Sequence, residues 1–205
     1  MAKILDGRAL ARRIRKKIAQ RVAQLPTTPG LAVLLVGSDP ASHTYVNIKQ
    51  KACEEVGIQF EKFLYTADES EQTLIDKIHT LNDRSAIHGI LVQLPLPTQN
   101  AHRVITAIDP KKDVDGFHPE NLRRLEEGKP AIASAVALGV MKLIDQASAF
   151  LPPSSTAVIL SSPLFAEPLI TLLSEQRINA SVIDINDPSQ LAKTTAADIV
   201  IVAVG

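Results

Sequence analysis

Tyr45 and Lys49 stand four residues apart in a stretch that reads as a helix, so a phenol and an amine share one helical face. Gln93 closes the apolar run Ile87-His-Gly-Ile-Leu-Val-Gln93. That run reads as a buried strand, and open α/β sheets keep their ligands at such strand ends. Lys112-Asp113-Val114-Asp115-Gly116-Phe117 puts two carboxylates on a tight turn. An amine, a phenol, an amide and paired carboxylates are groups that move protons and hold polar ligands. Each also has a plain structural reading. A Tyr/Lys pair is ordinary helix amphipathicity, a strand-terminal Gln is a cap, and Asp-x-Asp-Gly is a turn. Spacing alone supports an α/β domain with a candidate site.

The elements that must position these residues alternate. Residues 31–36 form a short apolar run closed by Gly37 and read as a buried strand. Asp39 before Pro40 is an N-cap with proline in the first helical position, and the helix stops at Gly57. Residues 58–65 make a second strand, Ser70 caps a helix to residue 82, and residues 87–93 make a third strand. Leu94-Pro95-Leu96-Pro97 ends it, because proline cannot continue a ladder. Residues 98–107 read as helical, and the polar, Pro/Gly-punctuated stretch 109–130 reads as a domain junction. Domains are therefore expected at 1–131 and 132–205. In the second, helices at 135–147, 167–175 and 190–196 alternate with strands at 156–160, 180–185 and 198–204. Strand–helix repetition with continuously apolar strands predicts parallel sheets covered on both faces. The fold class is α/β: a three-layer N-terminal domain and an incomplete Rossmann-like, doubly wound sheet.

Composition narrows the function. Of 205 residues, 22 are Lys or Arg and 22 are Asp or Glu, so the zero net charge argues against a global grip on nucleic acid or an anionic membrane. Aromatics are 3% with no Trp, which disfavours a base-stacking surface. The single Cys53 reads as core, and it excludes an internal disulfide or a Cys-rich zinc site. His43, His79, His88, His102 and His118 show no tight metal-ligand spacing, so no metal is expected. No apolar run reaches the roughly 18 residues of a membrane span. The basic opening stretch, interrupted by Asp6, reads as a first helix with its charges in water, and the expected compartment is the cytoplasm.

Three words occur in order: Ser42-His-Thr-Tyr45-Val-Asn-Ile-Lys49, Gly89-Ile-Leu-Val-Gln93-Leu-Pro-Leu-Pro97, and Lys112-Asp-Val-Asp115-Gly-Phe117-His-Pro-Glu-Asn121. With Ile4-Leu-Asp6-Gly7 and the loop 36–42, they closely resemble the methylenetetrahydrofolate dehydrogenase/cyclohydrolase family over the first 125 or so residues. A looser similarity continues to Gly205. The resemblance implies oxidation of methylenetetrahydrofolate by NADP or NAD, then hydrolysis of the methenyl form to formyltetrahydrofolate, in a homodimer. It implies that Lys49 is the central catalytic residue, that Gln93 contacts it, that Tyr45 packs on the folate and that Asp115 holds the pterin. Ser42, Val92, Leu94 and Pro95 would line the substrate. Chemistry agrees. A lysine of ordinary pKa near 10.4 is a poor base at neutral pH, and burial beside a neutral amide makes it a competent one.

The second half departs from the family's fingerprint of strand, Gly-Arg-Ser, two residues, Val-Gly, one residue and Pro. The matching stretch is Leu160-Ser161-Ser162-Pro163-Leu164-Phe165-Ala166-Glu167-Pro168. Ser162 and Pro168 persist, both glycines are replaced, and Ser161 stands for the arginine. Ser161, Ser162, Pro168 and the strand-end Asp184 are what remains for a cofactor. Leu160 is expected to occupy the space of a pyrophosphate, and Glu167, near the helix start, to repel it. Ser134-Ala-Val-Ala137 replaces a Pro-Cys-Thr-Pro word, and Asn186-Asp187 a His-Ser. Family members also continue beyond this point, so the chain reads as a natural degenerate short member or a fragment of a longer one, and truncation would account for the missing C-terminal part but not for the lost glycines. The expected function is one-carbon folate interconversion, methylene to methenyl to formyl, with retention of the cyclohydrolase step favoured over that of the dehydrogenase step. The rival is a non-catalytic folate-binding or partner-binding paralogue.

Overall fold

The structure, a computed structural model, describes residues 4–184 and 187–203, without the side chains of Pro188 and Leu191. Contacts divide the chain into one unit of Asp6–Val114 and a second that runs on from Asp115.

In the first unit α1 (Gly7–Val22), β1 (Gly30–Val36), α2 (Pro40–Val56), β2 (Gln59–Tyr65), α3 (Glu71–Asp83), β3 (Gly89–Val92) and α4 (Ala101–Thr106) follow in order. The sheet is parallel with order β2-β1-β3, and Leu34 of β1 lies opposite Phe63 on one side and Val92 on the other. Alternate side chains of β1 feed two cores. Ala32, Leu34 and Val36 pack with Leu74, Ile78 and Leu81 of α3 and Val104 of α4. Val33 and Leu35 pack with Val46 of α2. Cover on both faces is why this strand is apolar throughout and why the unit has the three layers expected. The edge strand β2 differs: Gln59, Lys62 and Leu64 are exposed. Charged residues there discourage pairing with another chain.

The helix ends follow local chemistry. Asp39 accepts from the Ser42 amide at 2.7 Å, Ser70 from the Thr73 amide at 3.0 Å, and Gly57 ends α2 with φ 81°. Asp6 also caps, accepting from the Ala9 amide at 2.9 Å, so α1 starts at Gly7 and leaves Ile4 and Leu5 outside it. The helix expected at 98–107 is shorter, because Asn100 is its cap and accepts from the Arg103 amide at 3.1 Å.

The second unit contains α5 (Pro119–Glu126), α6 (Ala135–Ala147), β4 (Thr156–Ser161), α7 (Pro163–Glu175), β5 (Asn179–Ile183), α8 (Pro188–Leu191) and β6 (Ile199–Ala203), with 3-10 turns at Ser148–Phe150 and Ala192–Thr195. Its sheet is also parallel, ordered β5-β4-β6, with Ile159 opposite Val182 and Ile201. Ala157 and Ile159 pack under α6 and α7. Val158 and Leu160 face the other way with Ile183 and Ala197, and on that face Val200 and Val202 of β6 are exposed. Ile185, Asn186, Val204 and Gly205, which the sequence reading includes, lie outside the described residues.

Three expectations are corrected here. The junction at 109–130 holds a helix, α5, capped by His118 Nδ1, which accepts from the Glu120 amide at 3.0 Å. It packs against α7 and lies in the unit that runs on from Asp115. Helix α7 starts at Pro163 rather than residue 167, because Ser162-Pro163 is a cap followed by proline at the first helical position. The helix expected at 190–196 is also divided, into α8 and a 3-10 turn.

One lysine ties the first unit together. Lys112 Nζ donates to the carbonyls of Leu81, Asn82 and Arg84 at 3.2, 2.6 and 2.9 Å, closing the end of α3. Its own carbonyl accepts from the Ile90 amide at 2.7 Å, which lays Asp113 alongside β3 as an isolated parallel bridge. Lys112→Met should cost about 2 kcal/mol, since three carbonyls lose a charged donor. The readout is the urea midpoint of unfolding, and an unchanged midpoint would contradict this role.

Candidate active site

At the carboxyl end of β3 the chain leaves the sheet through Gln93, whose amide still donates to Leu34 O at 2.9 Å. Its side chain is turned to α2. Lys49 Nζ donates to Gln93 Oε1 at 2.7 Å, and Gln93 Nε2 donates to Leu94 O at 2.8 Å. The Leu94 carbonyl requires a donor, so the amide presents its NH2 there and its oxygen to the lysine. Gln93 is 9% exposed and Lys49 half-buried. The amine thus meets a fixed, neutral acceptor in a partly dry setting.

The other expected residues lie as follows. Tyr45 is one helical turn before Lys49 and 52% exposed, leaving its ring open to a ligand. Ser42 is buried and belongs to the cap of α2: its amide and its hydroxyl both serve Asp39, and these bonds hold the Asp39 carboxyl below its ordinary pKa. Val92 is buried in the core, Leu94 is half-buried and Pro95 is exposed, with a cis peptide between the last two. His43 lies near the pair in sequence, and its Nε2 is 3.2 Å from Gly37 O. Cys53 is buried as expected, and burial pushes its thiol pKa up.

Asp115 is half-buried and opens the second unit. The next residue, Gly116, has φ 69° and lies against the backbone of residues 132–134, where a Cβ would come within 2.7 Å of Ala133 C and Ser134 N. Only glycine fits such a turn. Phe117 is then buried, its ring edge-to-face with Phe165 of α7 at a centroid distance of 5.0 Å and 82°.

The start of α7 is where a dinucleotide's pyrophosphate would sit. Leu160 does not block it, contrary to expectation: alternation along β4 turns its side chain into the core with Val158 and Ile183. Ala166 is buried in the opposite core. Glu167 is the fifth residue of the helix rather than in its first turn. What opposes a phosphate is different. Pro163 removes an N–H from the first turn, and Glu126 and Glu167 line the same cleft as Pro163 and Ala166. Ser162 makes no side-chain cap, Ser161 Oγ donates to Ala203 O at 3.3 Å, and Pro168 is buried inside α7. Asp184, just beyond β5, is exposed. This donor set does not fit a pyrophosphate. Glu126 escaped the sequence reading because it is far from the fingerprint, and only the packing of α5 on α7 brings it there.

Two parallel α/β units, the first with a lysine–glutamine pair at a strand end, define the class of protein. Residues 5–115 match the family model of the tetrahydrofolate dehydrogenase/cyclohydrolase catalytic domain. The chain is 43% identical over 209 residues to the bifunctional protein FolD of Geotalea uraniireducens, covering all of this chain and 75% of that protein. The fold matches the bifunctional FolD dehydrogenase/cyclohydrolase of Campylobacter jejuni at 36% identity and TM-score 0.89, over 99% of this chain and 74% of that one. It matches the Trypanosoma brucei enzyme, solved with NADP and an inhibitor, at 32% identity and TM-score 0.91, over 100% of this chain and 72% of that one. The chain belongs to the tetrahydrofolate dehydrogenase/cyclohydrolase family, whose members interconvert one-carbon folates. Among the described residues, no helix is long and apolar enough to cross a membrane.

Gly116→Ala should cost more than about 2 kcal/mol, from left-handed strain and contact with fixed backbone together. Thermal unfolding measures it, and a wild-type midpoint would contradict the close approach.

Proposed function

We propose that this protein hydrolyses methenyltetrahydrofolate to formyltetrahydrofolate and does not carry the nicotinamide-dependent oxidation. The observation that carries this reading is the 2.7 Å hydrogen bond from Lys49 to an amide oxygen whose orientation Leu94 fixes. The substrate carbon is an amidinium joined to two nitrogens. Water adds to it, forming one C–O bond, and its proton passes to the Lys49 amine. One C–N bond then breaks, the leaving nitrogen keeping the bond pair, and the carbon becomes the formyl group. Lys49 returns its proton to that nitrogen as the adduct's remaining hydroxyl proton is released. The neutral Gln93 orients the amine without pinning it in its charged form, which a carboxylate would do.

Asp115 accepts from the amino and ring N–H groups of the pterin, and the exposed ring of Tyr45 supplies a flat apolar wall. Leu94, Pro95 and the backbone around Ser42 and Val92 complete the folate side, within residues 1–131. Residues 132–205 keep the Rossmann-like form, but Pro163, Glu126 and Glu167 argue against a bound NADP or NAD. Two copies pair through this second unit, a reading supported by the exposed Val200 and Val202; a monomer in sedimentation would contradict it.

Lys49→Met should lower methenyl hydrolysis to the uncatalysed rate while folate binding persists, and Asp115→Asn should weaken folate binding about tenfold. Absorbance of the methenyl form reads the first and calorimetry the second. Full hydrolysis in Lys49→Met would overturn the role of the amine. With methylenetetrahydrofolate and either NADP or NAD, no cofactor reduction is expected, and reduction would overturn the loss of the oxidation step.

A further inference from the structure

We infer that Phe165, on the helix that has lost its phosphate-binding glycines, is a positioning residue for the folate-binding turn. The inference rests on the folate reading of Asp115 given above. The family fingerprint has a valine at this place in the helix, and this chain has a larger, flat ring. That ring meets the buried Phe117 edge-to-face, with 5.0 Å between centroids. Phe117 is two residues from Asp115. Between them Gly116 is pressed against the backbone of 132–134, with no room for even a Cβ.

The turn is therefore held at two points beyond Asp115. Gly116 prevents it from moving toward 132–134, and the Phe165 ring supports Phe117 from α7. Before Asp115, Asp113 is held along β3 by the bridge to Ile90. A half-buried carboxylate whose turn is held at these two points has a narrow range of positions within its own unit, and a carboxylate that must meet two N–H groups of a ring depends on that range. Lys49 and Gln93 lie in the other unit and are held by α2 and the end of β3. Phe165 should thus act on substrate binding and leave the hydrolytic step alone. Helix α7, no longer suited to phosphate, serves the folate side of the reaction.

The test compares the intact protein with Phe165→Ala and Phe165→Leu in methenyltetrahydrofolate hydrolysis, with calorimetry on tetrahydrofolate in parallel. Phe165→Ala should raise KM and the tetrahydrofolate Kd together by about two- to tenfold, the range an aromatic pair is worth, with kcat unchanged. Phe165→Leu, which still fills the space beside Phe117, should recover most of the affinity. If Phe165→Ala does not fold, a smaller rise in KM at constant kcat in Phe165→Leu carries the same inference. A folded Phe165→Ala with wild-type KM and Kd would overturn it, even with a lowered Tm. So would a fall in kcat at constant KM. Failure of the unaltered protein to bind tetrahydrofolate would overturn the folate reading and this inference together, and is distinguished by appearing without any substitution.

Discussion

The hydrogen bond from the Lys49 amine to the Gln93 amide oxygen is the interaction on which the proposed chemistry of the first unit depends. It exists because β3 ends where α2 passes, and because Leu94 takes the other side of the same amide. The parallel order β2-β1-β3 brings these elements together, and burial on both faces of β1 keeps them there. A charged acceptor in place of the amide would keep the fold and change the chemistry, since it would stabilise the ammonium form. The sheet is a platform, and the site is a handful of side chains on it.

The second unit separates fold from function more sharply. Its sheet repeats the same strand order and buries Ala157, Ile159 and Leu160 as a dinucleotide domain would. The features that bind phosphate are local, and they are altered: proline in the first turn of α7 and two carboxylates beside it. A core tolerates such changes because none touches the buried strands. The same helix carries Phe165, whose ring packs edge-to-face on Phe117, two residues beyond Asp115.

The parts of the molecule legible in the sequence are those set by neighbours along the chain. Asp39-Pro40 and Ser70 announce their helices, and the apolar runs announce β1, β3, β4 and β6. His118-Pro119 and Ser162-Pro163 carry the same cap signal as Asp39-Pro40, yet the polar composition around the first and the family fingerprint over the second outweighed it. The place of Leu160 in the fingerprint points to the phosphate space, but the alternation of β4 turns it inward. Lys49 and Gln93 stand out in the sequence through their surrounding words. Their contact itself spans two elements and needs the structure. The three bonds of Lys112, the approach of Glu126 to α7 and the ring pair of Phe117 and Phe165 are likewise long-range, and no local pattern encodes them.

The central claim is that a neutral acceptor keeps the Lys49 amine available as a base. The most direct measurement is the pH profile of methenyltetrahydrofolate hydrolysis for the intact protein and for Gln93→Glu. A carboxylate beside the amine stabilises its protonated form, so the base would become available only at higher pH. The account predicts that the rising limb of the profile moves to higher pH and that the rate near neutrality falls at least tenfold, about 1.4 kcal/mol. A profile and rate identical to those of the intact protein would contradict it.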